Sequence, residues 1–218
     1  MLRARYGEDM HELRLFAISI DGVRDIFGAD AALAARLRDA TATRFVAPAR
    51  RTSLLDRIGP LFSRQASTEL DPRTPRPSDV DAVLSGGHIP HDRLAPCWRL
   101  MLVWLDDLAA ADLTITIDGL DALEFDLALA GLPSDYSLRQ LAERELGIAL
   151  RPLPGQVVGY SKHLHVVETW RQLRRVHDES RGEFAGTMAA IEPVLGLLGA
   201  VAARPDDRLD VVVIQTPA

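Results

Sequence analysis

The sequence predicts a helix-dominated α+β or α/β fold, with a small central sheet surrounded by about seven helices. Three observations predict it. Two apolar runs without a breaker stand at opposite ends of the chain, HELRLFAISI at residues 11–20 and Val211–Ile214 within DDRLDVVVIQ. Each needs a buried partner, and the simplest arrangement pairs them with each other and brings the termini together. Between them, most apolar residues recur every three or four positions, the helical spacing. Within this helical region, residues 94–112 (LAPCWRLMLVWLDDLAAAD) are apolar over most of the circumference. Leu94, Cys97, Trp98, Met101, Leu102, Leu105, Leu108 and Ala109 share one face, and Leu100, Val103 and Trp104 widen it. A helix of that kind is central to the core. Pro96 fits only in its first turn, so the helix should begin near Arg93 or Leu94.

A chain of 218 residues that is 47% hydrophobic can bury a sizeable core. One globular domain is expected over residues 10–218, preceded by a disordered leader or upstream start at residues 1–9. The 25 basic and 31 acidic residues leave a net charge of −6, which offers no general attraction to nucleic acid or anionic lipid. Neither is expected as a partner. Lys162 is the single lysine, and Cys97 is the single cysteine, which excludes an intrachain disulfide. On an apolar helix face it reads as a buried hydrophobe rather than a nucleophile. The nearest approach to a membrane span, residues 188–203, contains Glu192 and Pro193, and the first nine residues lack the apolar core of a signal peptide. A cytoplasmic location is expected.

In chain order, the first strand leads to Asp21, an N-cap for a short helix ending at Gly28, and Asp30 caps a helix to about Phe45. From Arg36 to Arg76 nine arginines face Asp39, Asp56, Glu69 and Asp71, a local charge of 9 − 4 = +5 against −11 for the remainder. Residues 46–77 are expected to form a mobile Arg- and Pro-rich insertion, with a short amphipathic helix at residues 53–62. It offers no interleaved aromatic platform for nucleic-acid bases. Ser78, with Asp81 three residues on, predicts a further cap, and Gly86-Gly87 a stop.

After the central helix, LTITI at residues 113–117 alternates as a half-buried strand does. Residues 118–131 read two ways. Leu123, Phe125, Leu127 and Leu129 alternate as in a hairpin strand, whereas Ala, Leu and Glu content with Gly131 and Pro133 favours a helix. Ser137 and Gln140 predict a capped helix to about Leu146, closed by Gly147. IALRPLPGQVVGY should be extended. Helices are expected over residues 161–177 and 182–203, the second kinked or divided by Pro193.

LFAISIDGVRDIFGAD and LALAGLPSDYSLRQLAERELGIALRPLPGQVVGYSKHLHVV, together with the terminal helix and strand, resemble an actinobacterial family of small α/β proteins designated a domain of unknown function. The resemblance covers most of the chain outside residues 46–77. It implies a fold, and supplies no catalytic residue.

Three polar groups are candidates for chemistry. His88, His91 and Cys97 are acceptable zinc ligands, but their spacing matches no established finger, and no metal is expected. Tyr160, Lys162, His163 and His165 lie between a Pro-Gly loop and a helix start, where free N–H groups accumulate, and suit a small anionic ligand. In an extended segment His163 and His165 share a side; in a helix they lie about 200° apart. Asp106, Asp107 and Asp112 are expected to cap or face solvent. No Walker loop, Rossmann glycine pattern, GxSxG elbow or HExxH occurs.

The leading expectation is therefore a non-enzymatic protein-binding or regulatory protein, in the manner of immunity or antitoxin-like proteins, without a cofactor. The alternative is an enzyme or small-ligand sensor whose pocket is lined by Tyr160, Lys162, His163 and His165, with His88 and His91 brought near by the fold.

Overall fold

The computed structural model describes residues 10–45, 73–180, 182 and 184–217. The expected leader and residues 46–72 of the expected insertion lie outside them. Among the described residues the chain forms four strands and seven α-helices. The strands β1 (Met10–Ile18), β2 (Ala111–Asp118), β3 (Val157–Ser161) and β4 (Asp210–Pro217) make one sheet in the order β2-β1-β4-β3. Every neighbouring pair is antiparallel. The two terminal apolar runs do pair, with Phe16 opposite Val212 at the centre of the sheet.

The two-residue period of β1 and β4 sends alternate side chains to two separate cores. Phe16, Ile18, Val212 and Ile214 join one core, with Tyr160 of β3. It is completed by α1 (Ile20–Asp25), α2 (Ala31–Arg44), α3 (Pro77–Leu84) and α4 (Leu94–Leu108). Leu13, Leu15, Ala17, Val211 and Val213 join the other. There they meet α5 (Leu120–Leu129), α6 (His163–Glu179) and α7 (Ala185–Ala202). The result is three layers, helices on both faces of an antiparallel sheet.

The central helix α4 starts at Leu94 with Pro96 in its first turn, as the sequence predicts. Trp98 and Trp104 are both buried, and each indole N–H finds a main-chain acceptor: Arg151 O at 2.7 Å and Leu37 O at 2.9 Å. Those bonds tie α4 to the 146–153 loop and to α2 and remove the cost of burying the indole nitrogens.

Several boundaries differ from the sequence expectation for local reasons. Ser19, not Asp21, caps α1, because its Oγ accepts the Asp21 N–H at 3.3 Å, and the helix ends before Gly28. Pro77 occupies the first turn of α3, so the capping side chain is Asp79, which accepts the Arg76 N–H, rather than Ser78 or Asp81. Residues 120–129 are helical, entered through Gly119 at φ +66°. The expected helix from Ser137 to Leu146 is replaced by two 3₁₀ turns, Ser134–Tyr136 and Leu138–Ala142. The cause is non-local: Arg144 bridges to Tyr160 on the outer edge of β3, and Gly159 lies so close to Ala142 that a Cβ there would sit 2.0 Å from its carbonyl oxygen.

Pro193 does not divide α7, because Met188 and Ile191 before it and Val194, Leu198 and Val201 after it enter the same core. At 18 residues with a hydropathy of 1.6, α7 reaches the length and composition of a membrane span, which the sequence reading did not expect; its buried residues here pack in the sheet's second core. The outer edge of β2, by contrast with that of β3, has no strand partner among the described residues.

Candidate functional site

Asp210, the first residue of β4, is 4% exposed and gathers two of the residues singled out in the sequence, Lys162 and His163. Its Oδ1 accepts the His163 N–H at 3.0 Å, and its Oδ2 accepts the Ile20 N–H at 3.1 Å. The Lys162 ammonium lies 3.2 Å from Oδ2. One carboxylate thus satisfies the first N–H groups of α1 and α6, the donors that helices leave unpaired at their N-termini. The His163 Nδ1 lies 3.1 Å from Leu209 O, an acceptor only, so Nδ1 carries the proton in that bond. Tyr160 is buried, with the Lys162 ammonium 5.5 Å and the Arg24 guanidinium 5.8 Å from its ring centroid. Arg24 Nε donates to Leu146 O at 2.9 Å.

The other three candidates do not join this cluster. Strand β3 ends at Ser161 and α6 begins at His163, so residues 160–165 are not extended and the two imidazoles diverge around the helix. His165 stacks on Tyr136 at 5.5 Å and 24° in the second core. Among the described residues its buried Nε2 has no hydrogen-bond partner, and neither has the buried Thr169 Oγ1 one turn further along α6. His88 and His91 are exposed on the α3–α4 connection, His91 in a 3₁₀ turn before α4. The polar groups around Tyr160 thus meet protein partners.

Cys97 is fully buried, and that burial, with the nearby Asp79 carboxylate, pushes its thiol up to about 11. Among the described residues no group of three His, Cys, Asp or Glu side chains could hold a metal ion. Asp107 pairs with Arg36 at 2.7 Å, Asp106 is raised from the usual carboxylate value by burial, and Asp112 belongs to β2.

An ion pair without a sequence signature holds the start of α3 to the start of α4. Arg93 Nε donates to Asp79 Oδ1 at 2.9 Å and Nη2 to Oδ2 at 2.5 Å, while Asp79 also accepts the Arg76 N–H at 2.7 Å. Burial alone would raise the Asp79 carboxyl, but the Arg93 and Arg76 hydrogen bonds and the Arg93 charge outweigh it and hold the group below its ordinary value. Its Asp-x-x spacing from the N-cap is a capping signal; the arginine 14 positions away is not predictable from it.

Three clefts open on the helical layer that contains α4. One, of about 280 Å³, is lined by Ser19, Gly22, Asp25 and Leu33; another, of about 370 Å³, lies between α2 and α3; and the third, of about 730 Å³, lies between α2 and α4 and is lined by Arg36, Asp39, Arg44 and Asp106. None of the three is lined by Tyr160, Lys162, His163, His165, His88 or His91. The chain matches no protein-family model, no curated protein and no solved structure.

Proposed function

We propose that this chain is a cytoplasmic protein-binding or regulatory protein that works without catalysis, in the manner of immunity or antitoxin-like proteins. The observation that carries the reading is the outer face of α5. Phe125 and Leu129, one turn apart, are 63% and 61% exposed, with Ala122 and Ala128 exposed beside them. The helix buries Leu120, Leu123 and Leu127 on its inner side, so it is apolar on both sides. A surface helix ordinarily turns a polar face outward, and a large aromatic and a Leu set together in water favour a covering partner. Covering such side chains contributes about 1.5–3 kcal/mol each. Asp121 and Glu124 beside the pair are both engaged by Arg139, so the apolar area itself selects the partner, one that presents an apolar groove.

The test is affinity capture from the native host with wild type and with Phe125→Glu plus Leu129→Glu. A protein retained by wild type should be lost from the variant, while the circular dichroism spectrum and Tm stay unchanged. An identical set of retained proteins from both baits would remove α5 as the docking face.

A further inference from the structure

The two edges of the sheet are treated differently. The outer edge of β3 is occupied at Tyr160 by Arg144, whereas β2 offers eight residues with no strand beside them among the described residues. Strand β2 contains no Lys, Arg or Pro, and its register with β1 runs unbroken from Ala111 to Asp118; the charges it carries are the carboxylates of Asp112 and Asp118.

Its side chains have a definite pattern. Asp112, Thr114, Thr116 and Asp118 are exposed on one face of the strand, while Leu113 and Ile115 are half-buried on the other and Ile117 is buried. Neither aspartate is matched across β1: Asp112 stands opposite Phe16 and Asp118 opposite Met10. The basic side chain of β1, Arg14, stands opposite Thr114 and is engaged by Glu12 at 2.7 Å. Among the described residues neither the Asp112 nor the Asp118 carboxylate takes a hydrogen bond or an ion pair. Two unmatched carboxylates thus lie on one face of a free edge, six residues or about 20 Å apart.

We propose that β2 takes up an extended peptide of a partner protein as a fifth strand, one with basic residues six positions apart at its ends and aliphatic residues at alternate positions between them. Main-chain hydrogen bonds to the free edge supply the general attraction, as in other cases of strand addition. The register is set by side chains. Lys or Arg at the two ends meets Asp118 and Asp112, and aliphatic residues between them extend the row of Leu113, Ile115 and Ile117. Opposite charges directly across a strand pair stabilise it, and like charges destabilise it. That rule disfavours a second copy as the occupant, since pairing β2 with itself would gather four aspartates on one seam.

The experiment uses the full chain and the fluorescein-labelled peptide Lys-Val-Thr-Val-Thr-Val-Lys, whose pattern is the same read in either direction. Anisotropy should report saturable binding, and hydrogen exchange should slow at the amides of residues 111–118. Asp112→Lys with Asp118→Lys should weaken binding by tenfold or more, and should bind the peptide ending in Glu in its place. Two backbone-blocked peptides need no protein variant. N-methylation at the second, fourth and sixth positions, or at the third and fifth, should abolish binding in one case and spare it in the other, because only alternate amides face β2. Equal binding of both blocked peptides, exchange protection confined to other elements, or an unchanged affinity in a folded double-lysine variant would overturn the proposal. So would concentration-dependent dimerisation that protects β2 without peptide.

Discussion

The Asp210 carboxylate and the His163 backbone are joined at 3.0 Å, and the same carboxylate reaches Ile20 at 3.1 Å. Because α1 packs in one core and α6 in the other, a single side chain at the start of β4 anchors helices on both faces of the sheet. Asp210→Ala would leave the buried Ile20 N–H and the half-buried His163 N–H without this acceptor, and loss of a cap costs about 0.5–2 kcal/mol at each helix. The expected destabilisation is therefore about 1–4 kcal/mol, read from urea unfolding at pH 7. Lys162 is 45% exposed at its side chain, so Lys162→Met should cost less than about 1 kcal/mol. If the lysine variant lost as much stability as the aspartate variant, the node would be an ion pair rather than a double cap.

The Asp79–Arg93 pair predicts a pH dependence whose sign follows from the carboxyl. Its folded value lies below its ordinary value, so the unfolded chain binds the proton more readily than the folded one. The stability it contributes is present in full above the ordinary carboxylate range, about pH 4, and is lost as pH falls through the lower folded value. Chemical unfolding between about pH 6 and 2 should show this acid slope in wild type and a shallower one in Asp79→Asn. Arg93→Met should be the more damaging change at pH 7, by about 3–5 kcal/mol, since it strands a carboxylate that is 5% exposed. Equal acid slopes in wild type and Asp79→Asn would contradict this assignment.

These two nodes mark where reading the sequence succeeds and where it stops. The pairing of β1 with β4 and the course of α4 are legible because long apolar runs leave few alternatives: Phe16, Val212 and Trp104 have to be buried somewhere. Tyr160, Lys162 and His163 could be placed together because they are adjacent in the chain. Their organising partner could not, because Asp210 lies 47 residues beyond His163 and looks like any aspartate before a strand. The same holds for residues 134–146, whose Ser137 and Gln140 carry a good helix-start signal. Local propensity there yields to the Arg144–Tyr160 bridge and the approach of Ala142 to Gly159, contacts between segments distant in sequence.

That close approach makes a paired glycine test. A Cβ at Gly159 would meet backbone at 2.0 Å, and a carbonyl held in a 3₁₀ turn cannot move aside as a side-chain tip can. Gly159→Ala should destabilise by about 1–3 kcal/mol or prevent folding. Gly22, inside α1, has nothing within 4 Å of the Cβ position. Gly22→Ala should stabilise by about 0.4–1 kcal/mol by restricting the unfolded chain. Thermal unfolding of the two variants distinguishes the cases, and a tolerated Gly159→Ala would show that residues 138–144 are not held against β3 as described.

The unpaired polar atoms on α6 carry the last prediction, which also separates a packing role from a ligand-binding role for His165. Thr169 is fully buried, its Oγ1 has no partner among the described residues, and the same holds for His165 Nε2 one turn earlier. A buried polar atom without a partner costs about 1–3 kcal/mol, and an apolar replacement of similar shape removes that cost. If these atoms serve nothing, Thr169→Val should raise stability by about 1 kcal/mol, and His165→Phe, which keeps the stack on Tyr136, should be neutral or stabilising. If instead the two atoms share a bound water or a small polar ligand, each substitution removes one of its anchors and both should destabilise. Urea unfolding of the two single variants and the double variant decides between them. Additive gains fit two idle groups, whereas losses in both single variants that do not add fit a shared occupant, because groups bound to a common partner couple.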